Sequence, residues 1–186
     1  MTDNILDIGS LKKSFGGLVV IDDVSFAVTK ASKTALIGPN GAGKTTIFNL
    51  LSGVYDVDSG SIVLDGVDIT RTEAHDRVLN GLSRSFQNIR LMPHLSTVEN
   101  VMLGQQATSR GWRDMIYPLG ILAKNRWRDE AEAALADAGI GTYPGEVVAN
   151  LPYGIQKRIE VVRAMVAKPK LLLLDEPAAG LNRVET

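Results

Sequence analysis

Between residues 34 and 51 the chain reads TALIGPNGAGKTTIFNLL, in which Gly38, Gly43, Lys44 and Thr45 satisfy the spacing G-x-x-x-x-G-K-[ST]. The chemistry open to such a stretch is anion binding. Along Gly38, Pro39, Asn40, Gly41, Ala42, Gly43, Lys44, Thr45 and Thr46 the glycines let the backbone wrap, so that its available N–H groups point inward. The positive end of the following helix reinforces them. Lys44 would reach the β- and γ-phosphates of a nucleotide, and the Thr45 hydroxyl would ligate Mg²⁺. A glycine-rich turn ahead of a helix is the plainer alternative. The placement after an apolar strand-like TALIG and before a helical IFNLL argues for the phosphate loop.

A phosphate loop needs an acid to hold the metal's water shell, delivered from the end of a neighbouring strand. LLLLDEP (171–177) supplies one: four leucines predict a short strand covered on both sides. Asp175 at its end would orient Mg²⁺, and Glu176 would accept a proton from, or align, the attacking water. Two acids before Pro177 would also suit a solvated turn, and the upstream loop favours the site. A third stretch, LPYGIQKR (151–158), opens a helix whose Ile155, Ile159, Val162 and Val166 share one face. Lys157 and Arg158 are unusually basic for a first helical turn, which suits either a nearby anion or a solvated surface.

The elements that must position these residues are legible in outline. LVVIDDVSFAV (18–28), TALIG (34–38) and SIVLDGVDI (61–69) read as strands, with Asp65-Gly66 as a hairpin signal. IFNLLSG is a short helix closed by Gly53, and AHDRVLNG another closed by Gly81. From about residue 88 the character turns helical. Ser96 and Glu99 form a capping box, and Trp127, Ala131, Ala134, Leu135 and Ala138 mark the core face of a further helix. Residues 107–126 lack a clean period and read as a surface excursion. The expected architecture is α/β: a P-loop core of mixed sheet with an antiparallel β subdomain, interrupted by a helical subdomain.

Composition narrows the setting. The 186 residues suffice for one domain with a small appendage, and a formal net charge of −1 gives no global basic field to attract nucleic acid. The absence of cysteine excludes disulfides and thiolate metal sites. MTDNILDIG has no leader-like features, and LLLL falls far short of the roughly 20 apolar residues of a membrane span. Cytosolic residence is expected, with any membrane reached through a partner.

The order GPNGAGKT (38–45), FQN (86–88), LPYGIQKR (151–158), LLLLDEP (171–177) and AAGLN (178–182) resembles the ATP-binding cassette ATPase, essentially end to end. RSFQNIRL, PHLSTVENV and LDEPAAGLN look most like the cassettes of branched-chain amino acid importers. The resemblance implies ATP and Mg²⁺ as cofactors and a head-to-tail pair of cassettes, homo- or heterodimeric. It further implies transmembrane permease subunits, a substrate-binding protein outside the cell, no nucleic acid, and a peripheral place on the cytoplasmic face of the membrane. Gln87 matches the loop glutamine that senses Mg²⁺ and the γ-phosphate. Phe15 falls where the family stacks a ring on adenine, although by its type alone it would be core. Gly154 would face the partner's nucleotide in trans. Leu91, Met92, Pro93 and Leu95 suit either a patch docking a permease helix or a buried loop. By the same pattern the ATPase core runs over 1–87, the helical subdomain over 88–153, and the signature helix, acid strand and following loop over 154–186.

Three departures from the family pattern stand out. Pro152 replaces the serine of the usual LSGGQ, whose third and fifth places hold Tyr153 and Ile155, and Asn182 replaces an aspartate. A switch histidine is expected after Glu176, yet the only histidines, His75 and His94, precede Asp175. These features suggest a cassette lacking its last core strands, which binds nucleotide weakly and hydrolyses it poorly. Two other functions remain in view: a cassette acting on nucleic acid or the ribosome, and a nucleotide-binding module without catalysis. Against the former, too few residues separate Gln87 from Leu151 for a long coiled coil, and heptads are absent.

Overall fold

The computed structural model describes residues 3–85, 89–106 and 119–175, with residues 106 and 119–125 described by backbone alone. The chain divides into two compact units, Met1–Leu82 and Ser83–Thr186.

The first unit is built on a four-stranded antiparallel sheet. β1 (Asn4–Phe15) and β2 (Leu18–Thr29) form a hairpin, β1 also pairs with β3 (Ser59–Leu64), and β4 (Val67–Asp68) closes the order β2-β1-β3-β4. Leu6 opposite Leu64 and Ile8 opposite Ile62 put four nearly inaccessible aliphatic side chains on the core face. Strict alternation would next bury residue 10. Instead the register shifts between Ile8 and Leu11, Ser10 turns to φ 45°, and Leu11 becomes the buried residue. One extra residue at a bulge restores the apolar face. The Asp65-Gly66 turn forms as expected, with φ of 48° and 79°, so that Leu64 pairs with Val67 across a two-residue loop. α1 (Lys44–Leu51) and α2 (Ala74–Leu79) complete the unit.

The expected strand over TALIG does not form. Residues 32–39 carry no ladder, and Leu36 and Ile37 are 39% and 87% exposed. An apolar segment becomes a strand only where its N–H and C=O groups find partners, and among the described residues none pairs with this one.

The second unit is mainly helical: α3 (Thr97–Gln106), α4 (Leu119–Asp137) and α5 (Tyr153–Val166) enclose Val98, Val101, Ala131, Leu135, Ile140, Val148, Ile159 and Val162. The capping box is present, with the Ser96 N–H donating to Glu99 Oε2 at 2.8 Å and the Glu99 N–H to Ser96 Oγ at 3.3 Å. α3 and α5 touch through Gly104, where a Cβ would lie 2.1 Å from the Arg163 carbonyl oxygen. Only glycine permits that approach. The expected surface excursion is shorter than 107–126, since α4 already begins at Leu119; residues 107–118 lie outside the described residues.

A two-stranded sheet pairs β5 (Leu82–Ser85) with β6 (Leu171–Leu174). The LLLL strand is therefore where the sequence put it, but it is not covered on both sides. Leu173 is buried, Leu171 and Leu172 are half-buried, and Leu174 is exposed. Among the described residues β6 has a single neighbouring strand, which leaves one edge open.

Candidate functional site

The GPNGAGKTT loop leads into α1 as the motif requires. Gly43 is the residue before the helix, with φ 83°, and a Cβ there would meet Ile21 Cδ1 at 2.8 Å and the Val20 carbonyl oxygen at 3.3 Å. Glycine thus serves twice, for the left-handed turn and for seating the start of α1 directly on β2. Residues 38–42 are exposed, and the Ala42 N–H donates to the Pro39 carbonyl at 3.2 Å. The Lys44 ammonium folds back over the loop, donating to the carbonyls of Gly38 at 2.7 Å and Pro39 at 2.8 Å. No acidic side chain occurs from Lys33 to Thr46, and no side chain caps α1. An open backbone, a helix start without competing carboxylates and one folded-in cation together fit a polyphosphate. Thr45 is exposed and Thr46 half-buried.

The opposite end of α1 is held by a residue that carried no functional weight in the sequence. Arg77 of α2 is 2% exposed, and its guanidinium donates to the carbonyls of Leu50 and Leu51 (2.9 Å for Leu51) and to those of Thr70 and Thr72. It supplies donors to the last turn of the phosphate-loop helix, whose carbonyls lack intrahelical partners. Burial lowers the Arg77 pKa from its usual value, and the nearby Asp56 works against that shift. The only trace of this in the sequence is a lone arginine at helical spacing beside the apolar Val78 and Leu79.

Phe15 lies at the end of β1, 39% exposed, so it is not the core residue its type suggests. Its ring meets Tyr55 edge-on, with centroids 5.1 Å apart, and Lys13 Nζ sits 5.3 Å from its centroid. Lys13 in turn pairs with Asp58 at 2.7 Å.

In the second unit Asp175 follows β6 directly and is 7% exposed. Its Oδ2 accepts a hydrogen bond from Arg84 Nη2 of β5 at 2.9 Å. Gln87 and Glu176, with Asn182, lie outside the described residues. Beyond Gln87 the LMPHL loop divides: Met92, Pro93 and His94 are exposed, while Leu91 and Leu95 are half-buried. Asn100, fully buried, shapes this loop by accepting from the Met92 N–H at 2.7 Å and donating to the carbonyls of Met92, Leu95 and Ser96.

Gly154 sits buried in the first turn of α5, after Pro152, and no side chain caps the helix. The two cations that follow are engaged within the chain. Lys157 is 1% exposed and pairs with Glu160 at 3.2 Å, and Arg158 donates to the Ala138 carbonyl. A basic residue in a first helical turn suggests a nearby anion or solvent; packing of α5 instead turns Lys157 inward, where the Glu160 carboxylate offsets its charge. Glu160 also accepts from the Arg90 N–H at 3.3 Å, while Arg163 Nη1 donates to the Arg90 carbonyl at 2.8 Å. Burial lowers the Arg163 pKa, with Glu160 opposing. Glu160 and Arg163, three residues apart on α5, thereby hold both backbone groups of Arg90, with Lys157 paired to Glu160 one step earlier. A cavity of about 520 Å³ lined by α4, α5 and the residues just after them, among them Ala134, Ala138 and Met165, contains none of the site residues expected from the sequence.

Comparison with known proteins agrees with this geometry. The family profile described as ABC transporter matches residues 21–179. The chain is 36% identical over 190 residues to the high-affinity branched-chain amino acid transport ATP-binding protein BraF of Pseudomonas aeruginosa, covering 100% of this chain and 74% of that protein. It is 35% identical over 189 residues to the corresponding LivG protein of Escherichia coli, with the same coverage. Among solved structures it resembles MJ1267, described as an ATP-binding cassette of an ABC transporter, with a TM-score of 0.84 and 28% identity over 99% of this chain and 73% of that one.

Proposed function

Because the chain belongs to the ABC transporter family as an ATP-binding cassette ATPase, we propose that it powers an importer whose cargo is a branched-chain amino acid. End-to-end similarity to BraF and LivG carries this reading. The phosphate loop supports it, being open, free of acids and crossed by Lys44. Nothing observed favours action on nucleic acid or the ribosome.

On this reading the backbone of Gly38, Pro39, Asn40, Gly41, Ala42, Gly43, Lys44, Thr45 and Thr46 receives the phosphates of ATP, with Lys44 on the β- and γ-phosphates and Phe15 against the base. Thr45, Gln87 and Asp175 are the residues that would hold Mg²⁺, which when bound neutralises phosphate charge. Glu176 aligns the attacking water or takes its proton. The chain's contribution is chiefly positioning and charge complementarity, as expected for phosphoryl transfer to water. Gly154 acts on the nucleotide of a second cassette through its backbone, since Lys157 and Arg158 are engaged within their own chain.

The proposed division of labour follows the family pattern: ATPase core over 1–87, helical subdomain over 88–153, signature helix and acid strand over 154–186. No helix among the described residues is long and apolar enough to cross a membrane. The similarity to transport ATP-binding proteins supports coupling through permease subunits. A substrate-binding protein completes the proposed system, with the cassette on the cytoplasmic face.

The test is ATP-driven uptake of labelled leucine by vesicles carrying the assembled transporter. Glu176→Gln should stop uptake while leaving ATP binding intact. Undiminished uptake would remove Glu176 from catalysis, and uptake of unrelated solutes alone would overturn the cargo.

A further inference from the structure

Arg84 opens the RSFQNIRL stretch but has no role in the family pattern set out above, yet it donates a hydrogen bond to Asp175. The two side chains are 5% and 9% exposed, and Nη2 meets Oδ2 at 2.9 Å. Among the described residues the other oxygen, Oδ1, accepts no hydrogen bond. Among the described residues, one side of the carboxylate is thus neutralised and the other has no hydrogen-bond donor. Arg84 lies in β5 and Asp175 is the residue directly after β6, its paired neighbour, so the strand pairing brings the two side chains together.

We propose that Arg84 is a positioning residue that occupies Asp175 in the nucleotide-free chain, so that the site takes its divalent cation only as a metal–nucleotide complex. The inference rests on the ATPase reading above. A guanidinium hydrogen-bonded to one carboxylate oxygen lies within a few ångströms of anything on the other, and in a buried site like charges at that distance repel strongly. A free divalent cation meets a carboxylate whose charge is already matched. A metal–nucleotide complex brings phosphate charges that offset the guanidinium, and Asp175 is then presented with Oδ1 available. Arg84 makes metal binding conditional on nucleotide, and its hydrogen bond to Oδ2 keeps the carboxylate oriented meanwhile.

The experiment is a Mn²⁺ titration of the nucleotide-free protein, following the free-ion signal by electron paramagnetic resonance. Arg84→Gln, which keeps a hydrogen-bond donor but removes the charge, should bind Mn²⁺ at least tenfold more tightly than the parent chain. Arg84→Lys should stay near the parent, and adding Asp175→Asn to Arg84→Gln should abolish the gain. Equal or weaker Mn²⁺ binding by Arg84→Gln would overturn the proposal. Should that variant fail to fold, nitrogen-15 spectra of the arginine side chains in the unaltered protein decide it. The Arg84 guanidinium should change its hydrogen exchange when a magnesium complex of a non-hydrolysable ATP analogue is added, and not when magnesium is added alone; an equal response to magnesium alone refutes the idea. Binding of a fluorescent ATP analogue in chelator is measured in parallel. Failure there would count against the ATPase reading, whereas normal nucleotide binding with unchanged Mn²⁺ affinity would count against Arg84 alone.

Discussion

α1 and α5 start alike and are used differently. Each opens at a glycine-containing turn with no side-chain cap and no acid in its first turn, so each leaves N–H groups and a positive helix end uncompensated by its own side chains. At α1 that end faces an exposed loop, and the first cation, Lys44, lies over the loop's carbonyls. At α5 the glycine is buried and the first cation turns inward to Glu160. The anchoring differs too. α1 is fixed at its far end by Arg77, leaving its start free for a ligand, whereas α5 is gripped along its flank through Glu160 and Arg163. The same local device can therefore be left exposed at its start or packed along its flank, depending on which part the rest of the unit holds.

The largest effect should come from Arg77→Met, which removes the donors to Leu50, Leu51, Thr70 and Thr72 while keeping an apolar chain of similar length. Leaving several buried carbonyls unsatisfied should cost about 3–5 kcal/mol, read as a lower urea midpoint, with nucleotide affinity falling only as the unit unfolds. Unchanged stability would mean that α1 is not anchored there. Next, Glu160→Gln removes the carboxylate that buried Lys157 pairs with, and should cost about 3 kcal/mol by the same measurement. It should also speed amide exchange at Arg90; a loss of stability without that change would break the link between α5 and the segment after Gln87.

Lys44→Ala should do the reverse of Arg77→Met. Its contacts are loop carbonyls at the surface, so melting should barely move, while affinity for an ATP analogue falls on the order of a hundredfold, about 2.7 kcal/mol. A substantial fall in melting temperature would make Lys44 a structural residue like Lys157. The smallest effect is expected from Asp58, whose side chain is exposed. Its pKa is held below the usual carboxylate value by the Lys13 hydrogen bond and then by the Ser14 N–H. A depressed native pKa adds stability above the unfolded-state value and loses it as pH falls through the native one. Asp58→Asn should therefore flatten the acid end of the stability profile and leave the neutral region nearly unchanged, as unfolding at stepped pH would show.

Much of the candidate site was readable because it depends on local rules. The turn at Gly43, the Asp65-Gly66 hairpin and the Ser96–Glu99 box are set by backbone preferences and contacts within a few residues, and all three occur as their spacing implies. TALIG and LLLL were legible as apolar segments but not as to their pairing. One has no ladder among the described residues and the other a single neighbouring strand, because strand pairing is decided by distant chain. Arg77, Arg84 and Lys157 look in the sequence like surface charges. Each is buried, against carbonyls, Asp175 and Glu160 respectively.

By itself, then, the order of residues determined the kind of chemistry: a glycine-wrapped anion site ahead of a helix, an acid after an apolar run, and the cassette family to which those motifs belong. Tertiary structure alone decided where the other charges go. A charged side chain's partner need not be near in sequence, and burial removes the water that would otherwise make such a partner unnecessary. That is why Lys44 lies across an open loop, Lys157 is locked to Glu160, and Arg84 stands beside Asp175.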